Sequence, residues 1–188
     1  MANNCDSQVR ISGEPEKLQR LVEKIGKEKN GDNSYFSTFN YENYETIFES
    51  IDDVEDWGSK WQVMNIEYYS DDTTLFIMGE SAWQPADGLW KKISKEFNVE
   101  VVLEYSEPGM NFAGITSWCD GEEIERQEMT YYEYLYENDS EYFWEEVGYR
   151  CECLTLDEII SDLGEVYENM DSSEKERINQ IHSNNYIE

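Results

Sequence analysis

The sequence predicts an α+β fold: a sheet of β-α-β-β-α-β order, an added β-hairpin, and a C-terminal helical extension. Three observations carry that expectation. Runs of period 2 are interleaved with two amphipathic helical stripes in the first half of the chain, an Asp-Gly pair separates two extended runs in the middle, and a capping box opens a long apolar stripe near the end.

The first strand is read from Cys5, Ser7, Val9 and Ile11, which alternate with Asp6, Gln8 and Arg10. Gly13-Glu14-Pro15 opens a helix, because proline lacks an N–H that the first turn would leave unpaired anyway. Its stripe is Leu18, Leu21, Val22 and Ile25. Residues 30–56 are polar, dotted with aromatics and without a clear period; they read as an insertion with one short helix around Tyr44–Ile51. Trp61–Tyr69 and Thr73–Ala82 are two strands joined by the turn Ser70-Asp71-Asp72. Pro85–Phe97 is the second helix, with Leu89, Trp90, Ile93 and Phe97 on one side. Val99, Val101, Leu103 and Tyr105 mark the fourth strand, which completes the split βαβ order of ferredoxin-like folds.

Beyond it, Phe112–Cys119 and Glu122–Thr130 flank Asp120-Gly121, the strongest short-range hairpin signal. Tyr131–Tyr149 is dense in Tyr, Trp and acid and fits no period; Cys151–Leu154 reads as a short strand. Thr155-x-x-Glu158 is a capping box, followed by one stripe from Leu156 to Met170; Ser173-x-x-Glu176 caps a last short helix with Ile178 and Ile181. The expected organisation is a domain over 1–130 carrying the insertion near 30–56, then an acidic, aromatic segment and C-terminal helices over 131–188, packed on the same domain.

Composition bounds the function. The 188 residues include 14 Lys and Arg against 43 Asp and Glu, a formal charge of −29. Low hydropathy with high charge also marks disorder, but six Trp, fourteen Tyr and seven Phe argue for a packed core. Such a charge disfavours binding to nucleic acid or an anionic membrane, which require a cationic footprint, and points to basic partners. The N-terminus lacks the cationic start and apolar run of a signal peptide, and no apolar stretch approaches the ~20 residues that span a bilayer, so a cytoplasmic protein is expected. Cys5, Cys119, Cys151 and Cys153 then read as reduced core thiols.

Three segments together resemble the YubB-like ferredoxin-like family of phage, plasmid and other mobile-element proteins. They are Met1-Ala2-Asn3-x-Cys5, then Trp57-Gly58-Ser59-Lys60-Trp61 through Ser81-Ala82-Trp83-Gln84-Pro85, then Tyr105-Ser106-Glu107-Pro108-Gly109 with Phe112 and Gly114. The resemblance covers roughly residues 1–130. It implies the fold and an accessory role in a bacterial cytoplasm, and it brings no catalytic residues.

No catalytic, cofactor-binding or metal-binding residue is expected. Cys151-x-Cys153 is too tightly spaced for a zinc knuckle and has no second pair; on a strand the two thiols share one face, as core packing would have them. The only histidine, His182, lies near the C-terminus, and there is no nucleophile elbow and no glycine-rich phosphate loop.

The charge pattern carries more. Arg10, Lys17, Arg20, Lys24, Lys27 and Lys29 fall in and just after the first strand and helix, and Lys91, Lys92 and Lys95 on the second helix. Since both helices of a split βαβ cover one sheet face, nine of the fourteen cations are expected on that side. The acids Glu122, Glu123, Glu125, Glu128, Glu133, Glu137, Asp139, Glu141, Glu145 and Glu146 form the opposing pole. Alternate strand residues lie about 6.6 Å apart on one face, so a row of carboxylates there imitates phosphates. Tyr134, Tyr136 and Tyr142 are interleaved with them, the residue type that dominates binding hot spots. These thirteen residues are the expected protein-binding surface. The bland alternative is that the acids only solubilise, while Phe143, Trp144 and the tyrosines pack the C-terminal helices.

Two functions follow. In the first, a mobile-element accessory protein mimics nucleic acid and inhibits a basic or nucleic-acid-binding host factor, such as a defence nuclease complex. In the second, a protein- or peptide-binding module works through its sheet, with Trp57, Trp61, Trp83 and the Tyr105–Gly114 turn forming the site.

Overall fold

A computed structural model describes residues 3–26, 28–29, 34–40, 58–59, 61–68 and 72–185. The chain divides into two compact units, Met1–Glu128 and Met129–Glu188.

In the first unit the alternation predicted for the N-terminus makes β1 (Asn4–Ser12), with Cys5, Ser7, Val9 and Ile11 buried. Pro15 occupies the first turn of α1 (Pro15–Ile25), whose stripe Leu18, Leu21, Val22 and Ile25 is wholly buried. Each such side chain contributes about 1.5–3 kcal/mol on removal from water. The chain continues through β2 (Glu28–Lys29) and β3 (Ser34–Asn40) to β4 (Trp61–Glu67), β5 (Thr74–Ala82), α2 (Asp87–Phe97) and β6 (Glu100–Glu107). After a 3-10 turn at Pro108–Met110 come β7 (Phe112–Cys119) and β8 (Glu122–Met129). The strands form one sheet of order β2-β3-β4-β5-β1-β6-β7-β8. Its centre, β4-β5-β1-β6, is antiparallel throughout, the split βαβ arrangement in which β1 lies between the third and fourth strands of the motif.

Both helices pack on one face, over Val9, Ile11, Leu75, Ile77, Val101, Leu103 and Trp118. The other face carries exposed Asp6, Gln8, Arg10, Asn65, Glu67, Phe76, Met78 and Glu80.

The expectations for residues 30–56 need correction. The stretch Ser34–Asn40, read as aperiodic, extends the sheet as β3, pairing Tyr35 with Ile66 and Ser37 with Met64. Strand partners stabilise a run whose own pattern is weak. The helix expected around Tyr44–Ile51 lies outside the described residues, as does most of the Ser70–Asp72 turn.

The second unit is helical: α3 (Tyr131–Asn138), α4 (Ser140–Arg150), α5 (Leu156–Leu163), α6 (Glu165–Asn169) and α7 (Ser172–Asn185). Its core joins Tyr131, Tyr132, Leu135, Phe143, Val147, Ile159, Leu163, Val166, Met170 and Ile178. The aromatic stretch that resisted assignment is therefore two helices. Cys151–Leu154 is the turn closing α4 rather than a strand, so the two thiols do not share a face: Cys151 is buried and Cys153 exposed. The stripe from Leu156 to Met170 is broken in two at Gly164, which sits at φ +52, a conformation glycine adopts without a Cβ clash. The last helix is capped by Asp171 and Glu174, not Ser173 and Glu176. Asp171 Oδ1 accepts from the N–H groups of Ser173 and Glu174 at 2.7 and 2.9 Å, and Glu174 Oε2 accepts from the Asp171 N–H.

Candidate functional site

The predicted anionic surface begins on β8. Asp120 (φ +51) and Gly121 (φ +75) both adopt the left-handed backbone of a type I′ turn, whose twist matches that of the flanking strands. The turn places β8 at the edge of the sheet, with Glu122, Glu123, Glu125 and Glu128 all exposed. One cation lies among them. The Arg126 guanidinium reaches Glu123 at 2.9 Å, Glu128 at 3.5 Å and Asp87, in the first turn of α2, at 2.7 Å. That hydrogen-bonded arginine holds the Glu123 carboxyl below its ordinary value. Asp87 moves the other way: burial raises its carboxyl even though Arg126 pulls it down.

The other nine predicted residues belong to the second unit. Thr130 and Glu133 form a capping box that starts α3, so Glu133 is committed to the helix end. Asp139 has the same kind of role on α4, accepting from the Tyr142 N–H. Glu137, Glu141, Tyr142 and Glu145 are exposed. Tyr134 and Tyr136 are half-buried against the helical core, and the Tyr136 hydroxyl donates to Glu174 at 2.9 Å. Glu146 accepts from Arg150. Of the aromatics, Phe143 is fully buried and stacks edge-to-face on Trp144, with ring centroids 5.2 Å apart.

Residues 129–188 hold sixteen Asp and Glu against Arg150, Lys175 and Arg177. All three cations are engaged within the unit. Arg150 pairs with Glu146 and Asp162 and lies over the Tyr132 ring; Lys175 sits over Tyr167 and donates to the Glu168 carbonyl; Arg177 stacks on Trp144 at 4.0 Å. The carboxylates outnumber them on the solvent side, and the anionic character predicted from sequence is carried by side chains in water.

The predicted cationic side is narrower than expected. Arg10 lies on the sheet face away from the helices, between Phe76 and Val102 of the neighbouring strands. Lys27 and the side chain of Lys29 lie outside the described residues. Lys17, Arg20, Lys24, Lys91, Lys92 and Lys95 remain on α1 and α2, and Lys24 pairs with Glu96.

Sequence reasoning missed the helix-free sheet face. Phe76 and Met78 are 56% and 61% exposed there, beside the cross-strand carboxylate pair Asp6 and Glu80. The signal was the run Leu75-Phe76-Ile77-Met78, apolar at positions of both parities. Of the sheet-site residues proposed, Trp83 is 47% exposed and held at φ +72, a strained backbone for a bulky residue. Tyr105 is buried, as is Glu107, which accepts from the Met110 N–H. Trp57 and the Trp61 side chain lie outside the described residues.

The four cysteines are not all core thiols. Cys5 and Cys151 are buried, and burial pushes the Cys5 thiol up to about 12; Cys119 and Cys153 are exposed. His182 contacts the Leu154 carbonyl at 3.1 Å. Among the described residues no group of three or more His, Cys, Asp or Glu is placed to hold a metal ion, and no helix is long and apolar enough to cross a membrane.

This topology, two helices on one face of a sheet with the 4-1-3-2 core, defines a ferredoxin-like α+β domain. Residues 44–147, more than half the chain, match the family model described as the ferredoxin-like domain in Api92-like protein, and the chain belongs to that family. The match runs from ahead of β4 into α4, so β1 and α1, which complete the motif, precede it. Searches of the curated proteins and of the solved structures found no match.

Proposed function

We propose that this protein is a non-enzymatic, cytoplasmic accessory protein of a mobile genetic element that mimics nucleic acid. It would occupy the nucleic-acid-binding groove of a basic host factor, such as a defence nuclease complex. The observation that carries this reading is the engagement of the cations: Arg126 in the first unit, and Arg150, Lys175 and Arg177 in the second, are held in ion pairs or against aromatic rings, which leaves the solvent side of β8 and that of the helical unit each dominated by carboxylates. Such a surface steers a cationic groove toward it and gains affinity from complementary charge. The mobile-element origin is supported by the N-terminal, Trp57–Pro85 and Tyr105–Gly114 residues that carry the resemblance.

The test is capture of partners from a bacterial lysate at low ionic strength, followed by salt titration and competition with duplex DNA. The expected result is a nucleic-acid-binding protein whose affinity falls as salt rises and which DNA displaces. A partner that keeps its affinity in high salt, or that binds DNA and this protein together, overturns the reading. Charge reversal of Glu122, Glu123, Glu125 and Glu128 should abolish the interaction.

One observation favours a second reading, a peptide-binding module. Phe76 and Met78 stand exposed on the helix-free sheet face. For that function Phe76→Ser with Met78→Ser abolishes binding, and the charge reversals on β8 spare it.

A further inference from the structure

We infer that the groove between α4 and α7 receives an arginine side chain of a basic partner, at a position now taken by the chain's own Arg177. The inference rests on the proposed function for the class of partner, and it adds a point of contact and a preferred side chain. The groove is open to solvent, roughly 430 Å³, and lined by Ser140, Glu141, Trp144, Glu145 and Arg177.

Its floor is an aromatic plane held in place. Trp144 is half-buried and braced edge-to-face by Phe143, itself fully buried in the core of this unit. Tryptophan is the best aromatic partner for a cation, and a guanidinium stacks on it through its flat face as well as through its charge. Arg177 shows which chemistry the plane accepts, with its guanidinium carbon 4.0 Å from the ring centroid.

Its walls are two uncommitted carboxylates. Glu141 and Glu145 are exposed, one helical turn apart on α4, and neither has an ion-pair partner among the described residues. Arg177 makes no ion pair among the described residues either, although its five N–H groups could donate to carboxylates. It is exposed and reaches the ring from α7. An incoming arginine therefore displaces one solvent-exposed stacking contact and gains the same plane plus the two acceptors. A lysine gains the charge without the planar stacking.

The experiment uses the full chain and two fluorescent octapeptides of equal charge, one rich in arginine and one rich in lysine. Arg177→Ala is compared with Lys175→Ala, the same charge change on the same helix. Arg177→Ala should tighten the arginine peptide about two- to fivefold more than Lys175→Ala does, the range an exposed cation–π contact supplies. Glu141→Gln with Glu145→Gln should weaken it more than Glu152→Gln with Glu165→Gln, exposed acids elsewhere in the unit. Wild-type protein should prefer the arginine peptide, and Trp144→Leu, checked for fold by circular dichroism, should erase that preference. Equal effects of the paired variants, or equal affinity for the two peptides, overturns the groove while salt-dependent binding upholds the acidic surface. Binding of neither peptide overturns both.

Discussion

Asp87 sits where two effects oppose each other. Arg126 bonds it at 2.7 Å, yet burial wins and raises its carboxyl above 3.8. Asp6 is raised as well, by burial and by Glu80 opposite it. A carboxyl raised in the folded state binds its proton more tightly there than in the unfolded chain. Its ionised form therefore costs stability above the raised value, and that cost disappears as pH falls through it. Asp171 and Glu158, lowered by hydrogen bonds from Ser173 and Thr155, behave oppositely: their contribution is present above the ordinary values and is lost as pH falls through the depressed ones. Acidification also relieves the self-repulsion of a chain at −29. The melting temperature should thus rise from pH 7 to pH 5 as self-repulsion weakens, and the gain should be opposed at lower pH, where the caps of α5 and α7 are lost. Calorimetry across that range checks it, and Asp87→Asn should remove the share of the acid-side stabilisation that burial of Asp87 contributes; a melting temperature that falls between pH 7 and 5 refutes the account. The thiols give a second check at this scale. Cys119 and Cys153 should take up a maleimide in the native protein, and Cys5 and Cys151 only after denaturation, as read by mass spectrometry.

Among the elements, β8 has two roles that mutation separates. Its glutamates present charge, and they also blunt an open sheet edge that would otherwise template pairing with another chain. Replacing Glu122, Glu123 and Glu125 with threonine should produce concentration-dependent association, visible by light scattering, with little change in the fold of the monomer. The helix caps are local and quantifiable: Thr155→Ala removes one capping box and should cost about 1 kcal/mol in urea denaturation. That cap, Pro15 at the start of α1 and the Asp-Gly hairpin were legible because each is a short-range signal whose partner lies within three residues. α3 and α4 were not, because their buried positions are filled by Tyr131, Tyr132 and Phe143 amid exposed Tyr142 and Tyr149, so aromatic residues mark no single face. The Thr130-x-x-Glu133 box was the available sign of α3, and it went unread. β3 was invisible for a different reason: its stability comes from pairing with β4.

Each unit of the molecule closes its own core. One cluster draws on residues from Cys5 to Trp118 and the other on residues from Tyr131 to Ile178. A fragment of residues 1–128 should therefore fold, with cooperative thermal unfolding and the near-ultraviolet signal of packed aromatics; a fragment lacking both would show that the cores depend on each other.

The sequence by itself determined the β-α-β-β-α-β order of the central motif, the hairpin, and the identity of the acidic stretch, since all three are written in periodicity, turn residues and composition. That Arg10 leaves the helical face was already written in the alternation of β1. Only the tertiary structure decided that Phe76 and Met78 stand in water and that the few cations of the acidic region are already engaged. Those outcomes depend on strand register and on pairs such as Arg126 with Asp87 and Arg177 with Trp144. The partners are distant in sequence, and no local pattern encodes their meeting.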